Sequence, residues 1–364
     1  MLSESQQDGH LLVYAAAPPM GRSKRLIHVN GVTSPVEKQL EDLETLVWLT
    51  LEHPLDIVGV HNSTSGYRSD LLESMMGKAE LVQFWPEYLS AESDKRLQRY
   101  ADLLGMLCDR TLAPDADILA ELQQQRRPPK AFSTANPQST TDIQTTGTPS
   151  TLPQLSFDLD MIRRLPFLQN MAWDDFESYL YGHYPAGAPR PILRLAYEVV
   201  QSIRAGAEVF IVAHSEGTII AALALQILQR FFGTYPKWSE PLRCIFYGPA
   251  IMPEDLPPMV RTQTIFIQHR HDLVAEAFSN LRHVDLWTNL QSQVKVLMER
   301  ADTIFTLAAE DSYHSARHYL GQLDNPDSQR AAQLLKLLLT EDWQRHSFLN
   351  TLSSARLILE TIPS

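Results

Sequence analysis

The stretch from residue 207 to residue 232 constrains the fold of this chain more than any other part of its sequence. Its first part, Ala-Glu-Val-Phe-Ile-Val-Ala-His, is rich in β-branched and apolar residues and is typical of a short buried strand. Ser215 and Gly217 follow at once, and residues 219–232 are apolar enough for a buried helix. A strand that turns sharply into a helix can present a serine as a nucleophile at the edge of an α/β sheet. The alternative is an ordinary strand-to-helix turn that happens to contain serine.

Short apolar segments alternate with helical ones on both sides of this stretch. Such an alternation predicts an α/β fold with a doubly wound, mostly parallel sheet. Besides 207–214, strands are predicted at residues 25–31, 56–61, 242–248, 262–268 and 303–307. Helices are predicted at residues 35–51, 97–122, 191–205, 219–232, 328–339 and 343–359.

The chain divides into four predicted parts. Residues 1–78 and 191–325 form the two halves of the α/β core, residues 79–190 a helical insertion, and residues 326–364 C-terminal helices. Within the insertion, residues 123–156 are rich in Gln, Pro, Ser and Thr, which predicts a disordered linker. A long irregular insertion of this kind is either a cap over the active site or a peripheral excursion without a role there.

Composition excludes several classes of partner. The net charge of −12 argues against binding to nucleic acid, which requires a basic surface. Two cysteines are too few for a disulfide framework, and Cys244 lies in an apolar run that predicts a buried thiol. Because neither a signal-peptide pattern nor an apolar run of membrane-spanning length is present, we expect a cytoplasmic protein without a transmembrane segment.

A carboxylate follows the predicted strand 262–268, where an acid partner for a catalytic base would belong. Asp272 stands there, and its carboxylate could fix the tautomer of an imidazole and stabilise the imidazolium. The same residue could instead cap a helix that begins at Leu273, and both roles are compatible. Asp285 is the second choice for the acid, because it follows no clear strand.

A histidine follows the predicted strand 303–307, in the position of the general base. His314 completes the chain order serine, acid, histidine. His318 lies four residues further on and could share a helix face with His314 as a pair of metal ligands. The glutamate of a His-Glu-x-x-His helix is missing, however, so we expect neither a metal nor a cofactor.

Two backbone N–H groups are required to stabilise an oxyanion. One is assigned to Glu216, directly after Ser215 at the start of the helix, and the other to Val32 or its neighbour Gly31 in the turn after the first strand. The side chain of Glu216 is expected to face outward, where the helix dipole favours an anion. The loop at residues 62–66 lies at the same sheet edge and either lines the pocket or is a plain turn.

Short segments that carry these residues resemble the α/β-hydrolase superfamily, and more narrowly its lipase-like and esterase-like members. They are residues 27–31, 211–218, 247–249, 272–274 and 314–320, within the ranges 25–78 and 190–322. The last segment resembles a His-Ser-x-x-x-Tyr-Leu pattern around the base, which favours His314 over His318. Ala213 departs from the family, which usually has glycine at this position. The resemblance implies an α/β-hydrolase fold with Ser215 as nucleophile, Asp272 as acid and His314 as base.

Two functions from different classes follow from these observations. The first is a serine hydrolase that cleaves a carboxylic ester or thioester through an acyl-enzyme on Ser215. The aromatic-rich residues 159–184 favour a lipid-like or other apolar ester, and a thioesterase, phospholipase or acyltransferase would use the same side chains. The second is a catalytically silent binding or regulatory module with a hydrolase-like fold. The sequence predicts no oligomeric state.

Overall fold

A single sheet organises the computed structural model, which describes residues 8–15, 24–53, 55–64, 67–109, 190–233, 235–279, 312–341 and 356–358. Its seven strands lie in the order β1-β3-β2-β4-β5-β6-β7. They are β1 (Leu11–Ala15), β2 (Lys24–Val29), β3 (Asp56–Val60), β4 (Glu208–His214), β5 (Leu242–Tyr247), β6 (Thr264–Gln268) and β7 (Arg356–Ile358). Only β1 and β3 pair antiparallel; the other neighbours are parallel. The predicted α/β class with a mostly parallel sheet is confirmed.

Helices cover both faces of the sheet. One buried cluster joins the sheet to α2, α3, α4 and α5, and a second cluster on the opposite face joins it to α1, α8 and α9. The helices of the described segments are α1 (Val36–Leu49), α2 (Tyr67–Gln83), α3 (Ala91–Cys108), α4 (Arg190–Arg204), α5 (Glu216–Phe232), α6 (Pro258–Arg261), α7 (Leu273–Ser279), α8 (Ala316–Tyr319) and α9 (Pro326–Thr340). The sheet is therefore doubly wound.

The central strands have almost continuously apolar sequences because helices cover both faces of the sheet there. Every residue of β5, and every residue of β4 after Glu208, is buried. Cys244 in β5 is a free, buried thiol, as the sequence predicts, and burial raises its pKa to about 12. The register places Val29, Ala213 and Phe246 side by side at the carboxyl ends of three adjacent strands. The loops that leave these strands consequently meet at one edge of the sheet.

Helix α3 differs from the prediction in position and in role. It begins at Ala91, where the Ser90 hydroxyl accepts a hydrogen bond of 3.1 Å from the Ser93 N–H, and ends at Cys108 rather than at residue 122. Leu97, Tyr100, Leu104 and Leu107 are buried in the main core. This spacing lays one apolar stripe of the helix against α4 and α5. Residues 91–108, which the prediction places in the helical insertion, thus contribute to the packed core.

The C-terminal segment also differs from the prediction. Helix α9 confirms the helix predicted at 328–339, but residues 356–358 form strand β7 and not part of a helix. The edge of β6 offers unpaired backbone groups, and the short apolar segment pairs with it in parallel, Leu357 opposite Ile267. The predicted linker 123–156, the aromatic-rich stretch 159–184 and the strand 303–307 lie outside the described residues. In the described part of the chain, no helix has the length and apolarity needed to cross a bilayer.

Candidate active site

Ser215 lies in the tight turn between β4 and α5 in a strained backbone conformation. Its φ is 50° and its ψ is −122°, values that residues with a side chain rarely adopt and that cost about 1–3 kcal/mol. Two glycines permit this turn. A Cβ on Gly217 would lie 2.5 Å from the carbonyl oxygen of Val29, and a Cβ on Gly31 would lie 2.8 Å from the Ser215 Cβ. The loop after β2 therefore packs directly against the serine.

Ala213 occupies the position where the resembling motif usually has glycine. It belongs to β4, has ordinary strand pairing to Val29 and Phe246, and is fully buried in the main core. Its methyl group therefore fills core space ahead of the turn, and the strained conformation begins only at Ser215.

The structure brings Ser215, His314 and Asp272 together in one hydrogen-bonded row. The Oγ of Ser215 lies 2.8 Å from Nε2 of His314. On the other side of the ring, Nδ1 lies 2.9 Å from Oδ1 and 3.1 Å from Oδ2 of Asp272. All three side chains are buried, although they come from positions up to 99 residues apart in the chain. In this arrangement Nδ1–H donates to the carboxylate, and Nε2 is free to accept the serine proton.

The carboxyl of Asp272 is held in its ionised form. Burial on its own would raise the pKa of Asp272, but the charge of His314 and hydrogen bonds from His314, Tyr319 and the Ala275 N–H together lower it below its usual value. The bond from Ala275 N–H to Oδ1, 2.8 Å long, caps the start of α7. Asp272 thus has the helix-capping role that the sequence analysis gave as its alternative, in addition to its contact with His314.

His214, directly before Ser215, supports the loop that carries His314. Its Nε2 lies 2.7 Å from the carbonyl oxygen of His314, and since a carbonyl only accepts, Nε2–H is the donor. Burial lowers the pKa of His214 well below its usual value, so the ring is neutral and this tautomer is fixed. The ring also stacks on Tyr247, with centroids 5.0 Å apart. The role of His214 could not be predicted from the sequence, because nothing in its local pattern reveals the partner 100 residues away.

Tyr319 holds the carboxylate of Asp272 in place through its hydroxyl. Its hydroxyl donates to Oδ2 of Asp272 over 2.6 Å and accepts from the backbone N–H of His269 over 3.0 Å. His318 does not face Ser215: its Nδ1 lies 2.8 Å from Nε2 of His269. His318 and His314 therefore contact different partners, and the described residues contain no group of three or more His, Cys, Asp or Glu side chains arranged to hold a metal ion.

Removing the Tyr319 hydroxyl tests whether this tyrosine positions the carboxylate. If the hydrogen-bonded row activates Ser215 for ester cleavage, Tyr319→Phe is expected to lower kcat roughly tenfold and to change KM by less than about twofold, because a hydrogen bond to a charged group contributes about 1.5–3 kcal/mol. Tyr313→Phe is the matched control, since Tyr313 is exposed and carries the same hydroxyl without a bond to Asp272. Steady-state kinetics of both variants give the answer. Equal kcat in Tyr319→Phe and Tyr313→Phe would contradict the positioning role.

A pocket opens beside Ser215 and His314. Among the described residues, its walls are mostly apolar. Close to Ser215 they include Val32 in the loop after β2, Glu216 at the start of α5 and Ala250 in the loop after β5. The remaining lining residues are Leu71, Ser74, Val274, Ala275 and Phe278. Two of the three predicted oxyanion residues, Val32 and Glu216, thus face the same space as Ser215. The third, Gly31, lies behind the serine in van der Waals contact with it.

The loops after β2 and β3 are joined by the side chain of Asn30. Its Oδ1 accepts from the Asn62 N–H over 2.7 Å, and its Nδ2 donates to the Asn62 carbonyl over 2.8 Å. Asn62 in turn donates from Nδ2 to Oε2 of Glu216 over 2.8 Å. The loop that begins at Asn62 is therefore tied to the site through Glu216, although none of its described residues, 62–64, is among those that line the pocket.

The side chain of Glu216 does not face outward, so that prediction was wrong. Glu216 is only 1% exposed and its carboxyl lies in the protein interior. Burial, followed by the charge of Asp70, raises the pKa of Glu216 to about 8. Interaction with the helix dipole is smaller than the effect of the surrounding packing, which directs this side chain inward against Asn62.

Asp285, the second choice for the acid, lies outside the described residues. Comparisons of the chain with protein-family models, with curated proteins and with solved structures give no match.

Proposed function

We propose that this protein is a serine hydrolase of the α/β-hydrolase type that cleaves a carboxylic ester or thioester. One observation carries the proposal: the row from Ser215 Oγ through the His314 ring to the Asp272 carboxylate, with contacts of 2.8 and 2.9 Å. A buried serine hydroxyl at a strained turn, with an imidazole nitrogen in reach and a carboxylate behind it, is the arrangement that activates a nucleophile. The doubly wound sheet, with Ser215 beyond the end of β4 and Asp272 beyond the end of β6, supports the same assignment.

The reaction proceeds in two halves. As Ser215 Oγ attacks the carbonyl carbon, its proton moves to Nε2 of His314, and the carbonyl electron pair forms an oxyanion. The oxyanion collapses, and the alcohol or thiol leaves with the proton from Nε2. Water then gives a proton to His314 and attacks the acyl-serine, which releases the carboxylic acid and restores the Ser215 hydroxyl. Asp272 stays ionised throughout and stabilises the imidazolium.

Two features support assigning the oxyanion to the N–H groups of Glu216 and Val32. Glu216 is the first residue of α5, so its N–H belongs to a helix start, where N–H groups lack helical acceptors. Val32 lines the same pocket in the loop that packs against Ser215. Two donors aimed at a developing negative charge contribute several kcal/mol to the rate in known cases, about 2.7–4 kcal/mol for each donor.

A fluorophosphonate probe tests the proposal without knowledge of the natural substrate. The wild-type protein is expected to form a covalent adduct, seen as one added mass located on Ser215, because the probe reacts only with an activated serine. Ser215→Ala is expected to stay unlabelled and to lose hydrolysis of short p-nitrophenyl esters. Ser239→Ala serves as the control, because Ser239 is buried but absent from the residues that line the pocket.

Folded wild-type protein that stays unlabelled would contradict the enzyme proposal and favour the catalytically silent binding module. Equal labelling of wild type and Ser215→Ala would place the reactive serine elsewhere. Product analysis with added alcohol or thiol acceptors separates a hydrolase from an acyltransferase, since both share the acyl-serine and differ only in what attacks it.

A further inference from the structure

The pocket beside Ser215 contains a polar group that the proposed reaction does not use. Glu216 is buried and lines this pocket, and its Oε2 accepts from Asn62. Its second oxygen, Oε1, is also buried and has no hydrogen-bond partner in the structure as described. A buried carboxyl oxygen without a partner destabilises a protein and therefore requires an explanation, and a contact supplied by a ligand is one.

Three further carboxyl groups act electrostatically on Glu216 or share its surroundings. Asp70 is buried, and its Oδ2 accepts from the Thr33 N–H at 3.0 Å and from the Thr64 hydroxyl. Burial, and after it the charges of Glu216, Asp8 and Asp70, raise the pKa of Glu73 well above its usual value. Ionised carboxylates at this wall would oppose one another, so the raised pKa values favour their protonated forms until a further positive charge is present.

The charged and polar neighbours come from several elements. Asp70 and Glu73 lie on α2, and Asp8 lies ahead of β1, where Arg190 at the start of α4 lowers its pKa against the larger effect of burial. Ser74 lines the pocket and donates its hydroxyl to the carbonyl of Asp70 over 2.9 Å. The described surroundings of Glu216 therefore carry more carboxyl groups than cations, and a cation that enters the pocket from solvent would offset the excess.

We propose that the Glu216 side of the pocket binds a cationic group of the substrate, so that the preferred substrates are esters or thioesters with an ammonium or guanidinium group near the scissile carbonyl. This specificity rests on the hydrolase proposal above. The cation meets Oε1 of Glu216, the oxygen that lacks a partner, while the apolar wall of Val274, Ala275 and Phe278 surrounds the uncharged part of the substrate. Glu216 then has two functions in the site: its backbone N–H stabilises the oxyanion, and its carboxylate binds the cation.

Cation binding is coupled to a proton. In the free protein the pKa of Glu216 is about 8, so its carboxyl is mostly protonated near neutral pH. A positive charge beside it favours the ionised form and lowers that pKa. A cationic substrate therefore binds with release of a proton, and its advantage over a neutral substrate increases as pH rises toward about 8 and levels off above it.

The first test compares two thioesters of nearly equal shape: acetylthiocholine and S-(3,3-dimethylbutyl) thioacetate, in which carbon replaces the charged nitrogen. Released thiol is measured for both from about pH 6 to pH 9. In wild type, the ratio of kcat/KM values, cationic over neutral, is expected to reach at least about tenfold at the high end and to fall toward one at the low end, in line with a charge pair worth about 1.4 kcal/mol. In Glu216→Gln the ratio is expected to stay near one at every pH.

Glu276→Gln is the matched control, because Glu276 lies on α7, is exposed and undergoes the same change from carboxyl to amide. It should keep the wild-type ratio and its pH dependence. A wild-type ratio near one, or the same ratio in wild type and Glu216→Gln, would overturn the cation site. In either case, Ser215-dependent cleavage of the neutral thioester would still support the proposed hydrolase.

The second test does not depend on turnover. Choline binding to Ser215→Ala is measured by calorimetry in two buffers of different ionisation enthalpy near pH 7.5. Binding with release of a fraction of a proton, lost in the double variant with Glu216→Gln, supports the cation site even if neither thioester is cleaved. Absence of choline binding, or binding without proton release, contradicts it.

Discussion

Asp272→Asn is expected to lower kcat/KM for ester cleavage by about 10⁴-fold while the protein stays folded. The carboxylate accepts the Nδ1–H of His314 through both oxygens, which leaves Nε2 unprotonated toward Ser215. An asparagine amide can donate to Nδ1 instead, and the ring then carries its proton on Nε2, where it cannot accept from the serine. The variant also loses the negative charge that stabilises the imidazolium. Together these effects correspond to about 5.5 kcal/mol of transition-state stabilisation.

The measurement combines steady-state rates on a p-nitrophenyl ester with the rate of fluorophosphonate labelling at Ser215. Both should fall together, because both require a deprotonated serine. Asp324→Asn is the control: Asp324 is exposed in the loop before α9 and undergoes the same chemical change away from the site. Circular dichroism and thermal unfolding check the fold, since Asp272 also caps α7. A loss below about tenfold in a folded variant would reduce Asp272 to that capping role.

The inner strands β2 to β6 could be predicted because they depend on short-range patterns. Strands such as β4 and β5 are buried on both faces and so appear in the sequence as apolar runs of strand length. Once a parallel sheet is inferred, the carboxyl ends of its strands must lie at one edge. That geometric rule brings Ser215 and Asp272 into the same region and predicts the same for His314, whose preceding strand lies outside the described residues; the sequence supplies no distances between them.

The supporting contacts could not be predicted, since each depends on a partner far away in the chain. His214 reaches the carbonyl of His314 and Tyr319 reaches the carboxylate of Asp272, 47 residues before it. The inward position of Glu216 depends on Asn62, 154 residues earlier. In this last case a local rule, the preference for an exposed anion at a helix start, gave the wrong answer because tertiary packing outweighed it.

The sheet edges were the least predictable part of the fold. Strand β1 pairs antiparallel with β3 and has exposed residues such as Val13, so it lacks the apolar pattern of the inner strands. Strand β7 has three residues, too few for any periodicity to separate a strand from a helix. Both owe their structure to the unpaired backbone groups of the neighbouring strand.

Gly217→Ala is expected to destabilise the protein by about 3 kcal/mol and to abolish most of its activity. The added Cβ would lie 2.5 Å from the carbonyl oxygen of Val29 and 2.7 Å from that of Asn30, and backbone atoms cannot move aside as a flexible side chain can. The first turn of α5 must therefore shift away from β2. Such a shift moves Ser215 and the Glu216 N–H relative to Val32, and displacements of about 1 Å in an active site can reduce rates about 100-fold.

Gly105→Ala gives the matched comparison. Gly105 lies inside α3, and the nearest atom that an added Cβ would meet is Cε2 of Phe231 at 3.8 Å, an ordinary contact. Since alanine favours helices over glycine by about 1 kcal/mol, this variant should be as stable as wild type or slightly more stable. Chemical denaturation of both variants, with esterase rates beside it, measures the difference. Wild-type stability and activity in Gly217→Ala would mean that the loop after β2 does not pack against the turn that carries Ser215. The assignment of the Val32 N–H as an oxyanion donor would then lose its structural basis.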